Sequence, residues 1–169
     1  PLAGCDDSLS EPTPLPVEAT RVSLADFRTG DLGVATAFQL ADSRTVRPSQ
    51  SSAWDFAFWI TDGGDPQFRP RDMIAEGDVN AGLASVDVAF ESLEEAPEDG
   101  YATDEPVPAD SGAVYAVQSS PDPRFGCRYY ARIRVVSVDT AVGSVTFDHL
   151  VNPNCGSRNL APGETGQDQ

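Results

Sequence analysis

Lysine is missing from this 169-residue chain: its 11 basic residues are all arginine, set against 27 aspartates and glutamates for a formal charge of −16. A surface that acidic repels phosphate backbones and anionic headgroups, which excludes nucleic acid and polybasic membrane binding. Histidine occurs once, at His149, so no pair of histidines can be assembled around a metal. The same scarcity argues against an enzyme. A Ser-His-Asp or Cys-His arrangement needs a base beside a nucleophile, and His149 stands between Phe147 and Val151 in an apolar alternation. No glycine-rich phosphate loop or carboxylate pair at a strand end supplies another chemistry. Apolar runs are short, none approaching the ~18 residues of a membrane helix. Methionine occurs once, at Met73, and cysteine three times, at Cys5, Cys127 and Cys155.

What is abundant is turn-forming. Fourteen glycines and fourteen prolines separate short runs rich in Val, Ile, Tyr, Phe and Thr. That pattern predicts one all-β domain of many short antiparallel strands with long loops. Its clearest element is a hairpin, Tyr129 to Val138 against Ser144 to Val151, with a five-residue loop from Asp139 to Gly143. Centring the loop on Ala141 places Ala131, Ile133 and Val135 opposite Val151, His149 and Phe147, which makes one face apolar. Arg132 and Arg134 then point to the other face with Asp148. The same register sets Cys127 opposite Cys155 at the open end, close enough for a disulfide. His149, on the apolar face, reads as a core imidazole, with a metal or haem ligand as the alternative.

Upstream, alternation predicts strands at Val34 to Leu40, Ala53 to Ile60, Ala84 to Phe90 and Val114 to Gln118, with Trp54, Phe56, Phe58 and Ile60 sharing a core face. Arg44 to Ser52 reads as a polar connection, Thr61 to Gly82 as a long loop, and Glu98 to Ala109 as irregular. The acidic residues of the long loop do not have the spacing of a twelve-residue calcium loop. The expected organisation is a tether over 1–19, the domain over 20–156 and a disordered tail over 157–169.

Leu2-Ala3-Gly4-Cys5 resembles the lipobox of bacterial lipoproteins, in which a signal peptide is cut before the cysteine and the cysteine is lipidated. Acylation of Cys5 would leave Cys127 and Cys155 to pair in an oxidising compartment. The proline- and glutamate-rich stretch to Glu18 suits a flexible tether.

Trp54-Asp55-Phe56-Ala57-Phe58 followed by Gly63-Gly64, then Phe90 with Ala96-Pro97, Tyr130-Ala131-Arg132-Ile133-Arg134 and Gly143-Ser144-Val145-Thr146-Phe147 succeed one another in a familiar order. Together they resemble the HmuY-like family of bacterial haem-binding lipoproteins over roughly Val34 to Val151. The resemblance implies an all-β protein at the outer membrane or cell surface that binds haem for iron acquisition and hands it to an outer-membrane receptor. In the family the iron is held by side chains from loops after the Trp-Asp strand. Here those loops would be Thr61 to Gly82 and Ala96 to Gly112, which hold no histidine and offer Met73 and Tyr101. Met73 would be the first axial ligand, Tyr101 a phenolate on the other side, and Arg69 and Arg71 partners for the propionates. Met73 could instead pack the loop onto the sheet. The alternative function is a non-haem structural or partner-binding module of the envelope.

Overall fold

The computed structural model describes residues 11–163, so Cys5 and the lipidation expected there lie outside the described residues. Ten strands run in chain order: β1 Thr20–Ala25, β2 Ala37–Gln39, β3 Arg44–Val46, β4 Phe56–Ile60, β5 Pro66–Pro70, β6 Gly82–Val86, β7 Val107–Pro108, β8 Val114–Gln118, β9 Tyr130–Asp139 and β10 Ser144–Val151. They form two five-stranded antiparallel sheets, ordered β1-β10-β9-β8-β6 and β3-β2-β4-β5-β7. The all-β reading holds. Leu24, Ile133 and Phe147 of the first sheet meet Phe38, Phe56, Phe58 and Phe68 of the second in one buried core. Aromatic pairs there cross edge-on, as between Phe56 and Phe68 at 5.3 Å, an arrangement that sets ring edges against ring faces.

The terminal hairpin has the expected pairs, Ala131↔Val151, Ile133↔His149 and Val135↔Phe147, and then departs from them. A bulge at Val136 moves the next pairs to Ser137↔Thr146 and Asp139↔Ser144, so the turn shortens to the four residues 140–143. Gly143, at φ +78°, closes that turn in a conformation costly for a side chain. Asp148 draws Arg134 at 3.0 Å, as expected, and also Arg21 from β1 at 2.7 Å. Arg132 does not join them. It is buried, donates to the carbonyls of Glu91 and Leu93, and lies over the ring of Phe90. The Cys127–Cys155 disulfide is present, with its Cα atoms 5.6 Å apart.

Several sequence boundaries are corrected. The polar connection Arg44 to Ser52 contains β3, and the strand expected over Val34 to Leu40 is ladder-paired only at Ala37–Gln39. The long loop Thr61 to Gly82 is largely structure: β5 pairs with all of β4, and a 3-10 turn, Arg71–Met73, follows it. β7 interrupts the stretch expected to be irregular and completes the second sheet. Trp54 leaves the core face, because the ladder starts at Phe56; its ring joins Ala37, Val46 and Ala57 on the outer side of the second sheet.

Both ends of the described chain are docked. Leu15 and Leu160 are buried with Phe90, Leu93, Ala96, Ala116 and Leu150 on the outer face of the first sheet. Glu95 and Asn159 form a bridge there. The disordered tail expected from 157 is therefore overturned as far as Gly163, and the tether ends before Leu15, because apolar side chains at these two positions cap a sheet face that would otherwise be wet.

Candidate functional site

The cleft is built around Asp55, the residue just before β4. Its Oδ2 accepts the N–H of Leu40 at 2.8 Å and its Oδ1 that of Ser120 at 2.7 Å, while its carbonyl accepts from Arg71 at 2.9 Å. Leu40 follows β2 and Ser120 follows β8, so this one residue ties the two sheets at their shared end. Burial raises its pKa above the ordinary carboxylate value, against the two backbone hydrogen bonds that lower it.

Above Asp55 lies a cleft of about 590 Å³. The buried Trp54 contributes an edge to its lining, Tyr129 and Phe125 come from the β8–β9 connection, Arg71 and Arg124 are the lining cations, and Asp42, Asp55 and Asp122 the lining carboxylates. Arg71 stands with its guanidinium 5.7 Å from the Trp54 ring centre, and its Nε is buried without a protein partner. The wall carrying Phe125 is held by local bonds. Asp122 Oδ1 accepts from the backbone of Arg124 at 2.7 Å and Phe125 at 3.2 Å, and the Asp122 carbonyl accepts from Gly126 at 2.8 Å. The disulfide fixes the loop's end at Cys127. One residue on, Arg128 Nη1 donates to the carbonyls of Val79, Asn80 and Ser119, drawing the segment after β5 toward the base of the same loop. Burial and the Asp122 carboxylate push the Tyr129 phenol pKa up, so Tyr129 presents a neutral hydroxyl.

The residues expected to bind a cofactor are dispersed. Arg71 lines the cleft. Arg69, two residues earlier on β5, lies instead on the outer face of the second sheet, 4.0 Å over Trp59, a ring that Phe27 and Arg28 also approach. Burial and the nearby Arg28 lower its pKa. Met73 ends the turn after β5, half-buried, and is not among the cleft-lining residues. Tyr101 packs on the outer face of the first sheet with the cluster that holds Leu15 and Leu160. Its hydroxyl donates to the Pro97 carbonyl at 2.9 Å, and burial raises its pKa, which disfavours the phenolate. Gly82 lets this segment approach β6: a Cβ there would stand 2.7 Å from the Ala102 carbonyl oxygen. Met73 thus follows the second sheet while Tyr101 covers the first, and neither lines the cleft. His149 is a core residue. It is 3% exposed, its ring centre is 4.8 Å from that of Phe38, and burial lowers its pKa to about 4.

Phe125, Arg124 and Tyr129 were not singled out from the sequence as site residues. The available signal was a phenylalanine in the turn Asp122-Pro123-Arg124-Phe125-Gly126, a polar setting in which an aromatic has no core to fill. Compared with known proteins, the chain matches no family model, no curated protein and no solved structure.

Proposed function

We propose that this chain is the binding domain of a bacterial envelope lipoprotein, anchored through Cys5. In this reading it takes a flat, largely apolar ligand with carboxylate arms into the cleft beside Trp54. The ligand class is the tetrapyrroles, to which haem belongs, and the role is capture for iron acquisition at the cell surface. The observation that carries the reading is the lining itself: the rings of Phe125 and Tyr129 and the edge of the buried Trp54, with two arginines, Arg71 and Arg124, that offset the aspartates Asp42, Asp55 and Asp122 of the same cleft. Rings offer stacking area to a flat ligand, and guanidinium forks match carboxylates. The volume of about 590 Å³ falls in the range of small-molecule sites, roughly 300–1,000 Å³.

Because neither Met73 nor Tyr101 lines the cleft, recognition in this reading rests on the ring face and the carboxylates. Haem and metal-free protoporphyrin are therefore expected to bind alike. Titration of the purified protein with each, followed by absorbance and by porphyrin fluorescence, tests this. Arg71→Ala should weaken both by about tenfold, the equivalent of roughly 1.4 kcal/mol for one charge-assisted contact. No spectral change with either pigment would refute tetrapyrrole binding. The second reading, a non-haem partner-binding module of the envelope, is favoured by Phe125, which stands 71% exposed on a braced loop.

A further inference from the structure

The described chain is pinned close to its start. Thr13 donates its N–H to Asn154 Oδ1 at 2.8 Å, and its carbonyl accepts from Asn154 Nδ2 at 2.7 Å. Asn154 adjoins Cys155, which is bonded to Cys127, and Phe125 stands two residues before Cys127. The point where the chain enters the domain and the tip of the β8–β9 loop are therefore neighbours. The other end is marked by Val142, 77% exposed in the β9–β10 turn. The ten residues of β9 separate the two ends, about 30 Å of extended strand.

Eight residues lead from Cys5 to Thr13, a reach of at most about 29 Å. An eight-residue coil spans about 16 Å on average, half the length of the hairpin, so a lipid on Cys5 would keep the Asn154 end closer to the bilayer on average than the Val142 end. We infer that the Cys127–Cys155 end of the sandwich is its bilayer-facing end, with Phe125 seated in the lipid interface and the β9–β10 turn directed outward. This rests on the lipid-anchor reading above and describes the protein with its cleft empty, when Phe125 and Arg124 hold no ligand.

The loop has the chemistry for that contact. Phe125 is 71% exposed, yet its backbone is fixed by the Asp122 carboxylate, so placing its ring in lipid orders nothing new. Pro121 and Pro123 bring no N–H into the low-dielectric zone. Arg124 can lay its stem along the interface with its guanidinium at the phosphate level. The acidic body, at −16 overall, makes a zwitterionic surface the partner rather than an anionic one. The rim of the cleft would then stand at the membrane, where an apolar ligand dissolved in the bilayer is within reach.

The test uses full-length lipidated protein, reconstituted into phosphatidylcholine vesicles with brominated acyl chains, as Phe125→Trp and Val142→Trp variants. Trp54 and Trp59 give a common background. The added emission of Phe125→Trp is expected to be quenched several-fold more than that of Val142→Trp. Equal quenching, quenching of neither, or stronger quenching of Val142→Trp overturns the orientation. Fractionation separates the two claims. Wild type in the soluble fraction overturns the anchor and the orientation together, whereas membrane-held protein with Phe125→Trp unquenched overturns the orientation alone.

Discussion

Both carboxylate oxygens of Asp55 accept from backbone amides, and the one imidazole of the chain is buried against Phe38 with its Nδ1 3.5 Å from Ser43 Oγ. The two titrate in opposite senses. His149 in the fold has a pKa lowered to about 4 by burial, whereas in the unfolded chain it sits near 6.5. Above pH 6.5 both states are neutral there and its apolar packing contributes fully. As pH falls from about 6.5 toward 4 the unfolded chain takes up a proton that the fold refuses, and stability is lost across that window. Asp55, with its pKa raised, works the other way, since the fold protonates before the unfolded chain does. His149→Phe removes the first contribution and leaves the second. Urea midpoints for wild type and His149→Phe between pH 7 and 4.5 should therefore diverge, with the wild type falling more steeply. Parallel pH profiles would mean that His149 is solvated or charged in the fold.

At the scale of elements, the hairpin and its disulfide form the most informative unit. The bridge closes a separation of 28 residues, which in the chain-entropy estimate is worth roughly 3–4 kcal/mol. A Cys127→Ser/Cys155→Ser chain should fold but unfold at lower urea by that order, and it should lose tetrapyrrole affinity as well, because Cys127 ends the loop that carries Phe125. Unchanged stability would place the cross-link's effect in the unfolded state's residual structure or in native strain. The hairpin was legible because alternation and cysteine position agree on one register; the bulge at Val136 was not, since Val135-Val136 reads as uninterrupted strand. β5 was hidden for a different reason. Pro66-Gln67-Phe68-Arg69-Pro70 is bounded by prolines, which look like breakers in sequence and are tolerated at strand ends. β3 and β7 are three and two residues long, too short to show a period, and exist because neighbouring strands offer them partners. The cleft was less legible than the fold. The sequence reading set the cleft between the loops Thr61 to Gly82 and Ala96 to Gly112, whereas Phe125 and Tyr129 reach Trp54-Asp55 through a connection more than sixty residues away in sequence, and nothing local encodes that meeting.

For the molecule as a whole, the balance of charge decides how the fold responds to salt. Five of the arginines are committed to ion pairs among the described residues. Arg21 and Arg134 share Asp148, Arg28 meets Asp26 and Asp62, Arg44 meets Asp42, and Arg158 meets Glu95 and Glu98. With 27 acidic residues in the chain, many carboxylates face water with no cation beside them, and compaction brings like charges together. Exposed pairs such as Arg44–Asp42 contribute roughly 0–1 kcal/mol each and weaken with salt. The repulsion weakens too, as the screening length shrinks from about 30 Å at 0.01 M to about 8 Å at 0.15 M. Repulsion among dispersed charges acts over longer distances than the pairs do, so it loses more over that range. Raising sodium chloride from 10 to 150 mM should therefore raise the melting temperature, by about 2–4 °C if the relief is near 1 kcal/mol. Calorimetry at neutral pH in a dilute buffer measures it directly. A fall in the melting temperature with salt would mean that the arginine pairs, above all the shared Asp148 site with its half-shielded partners, outweigh the excess of acid.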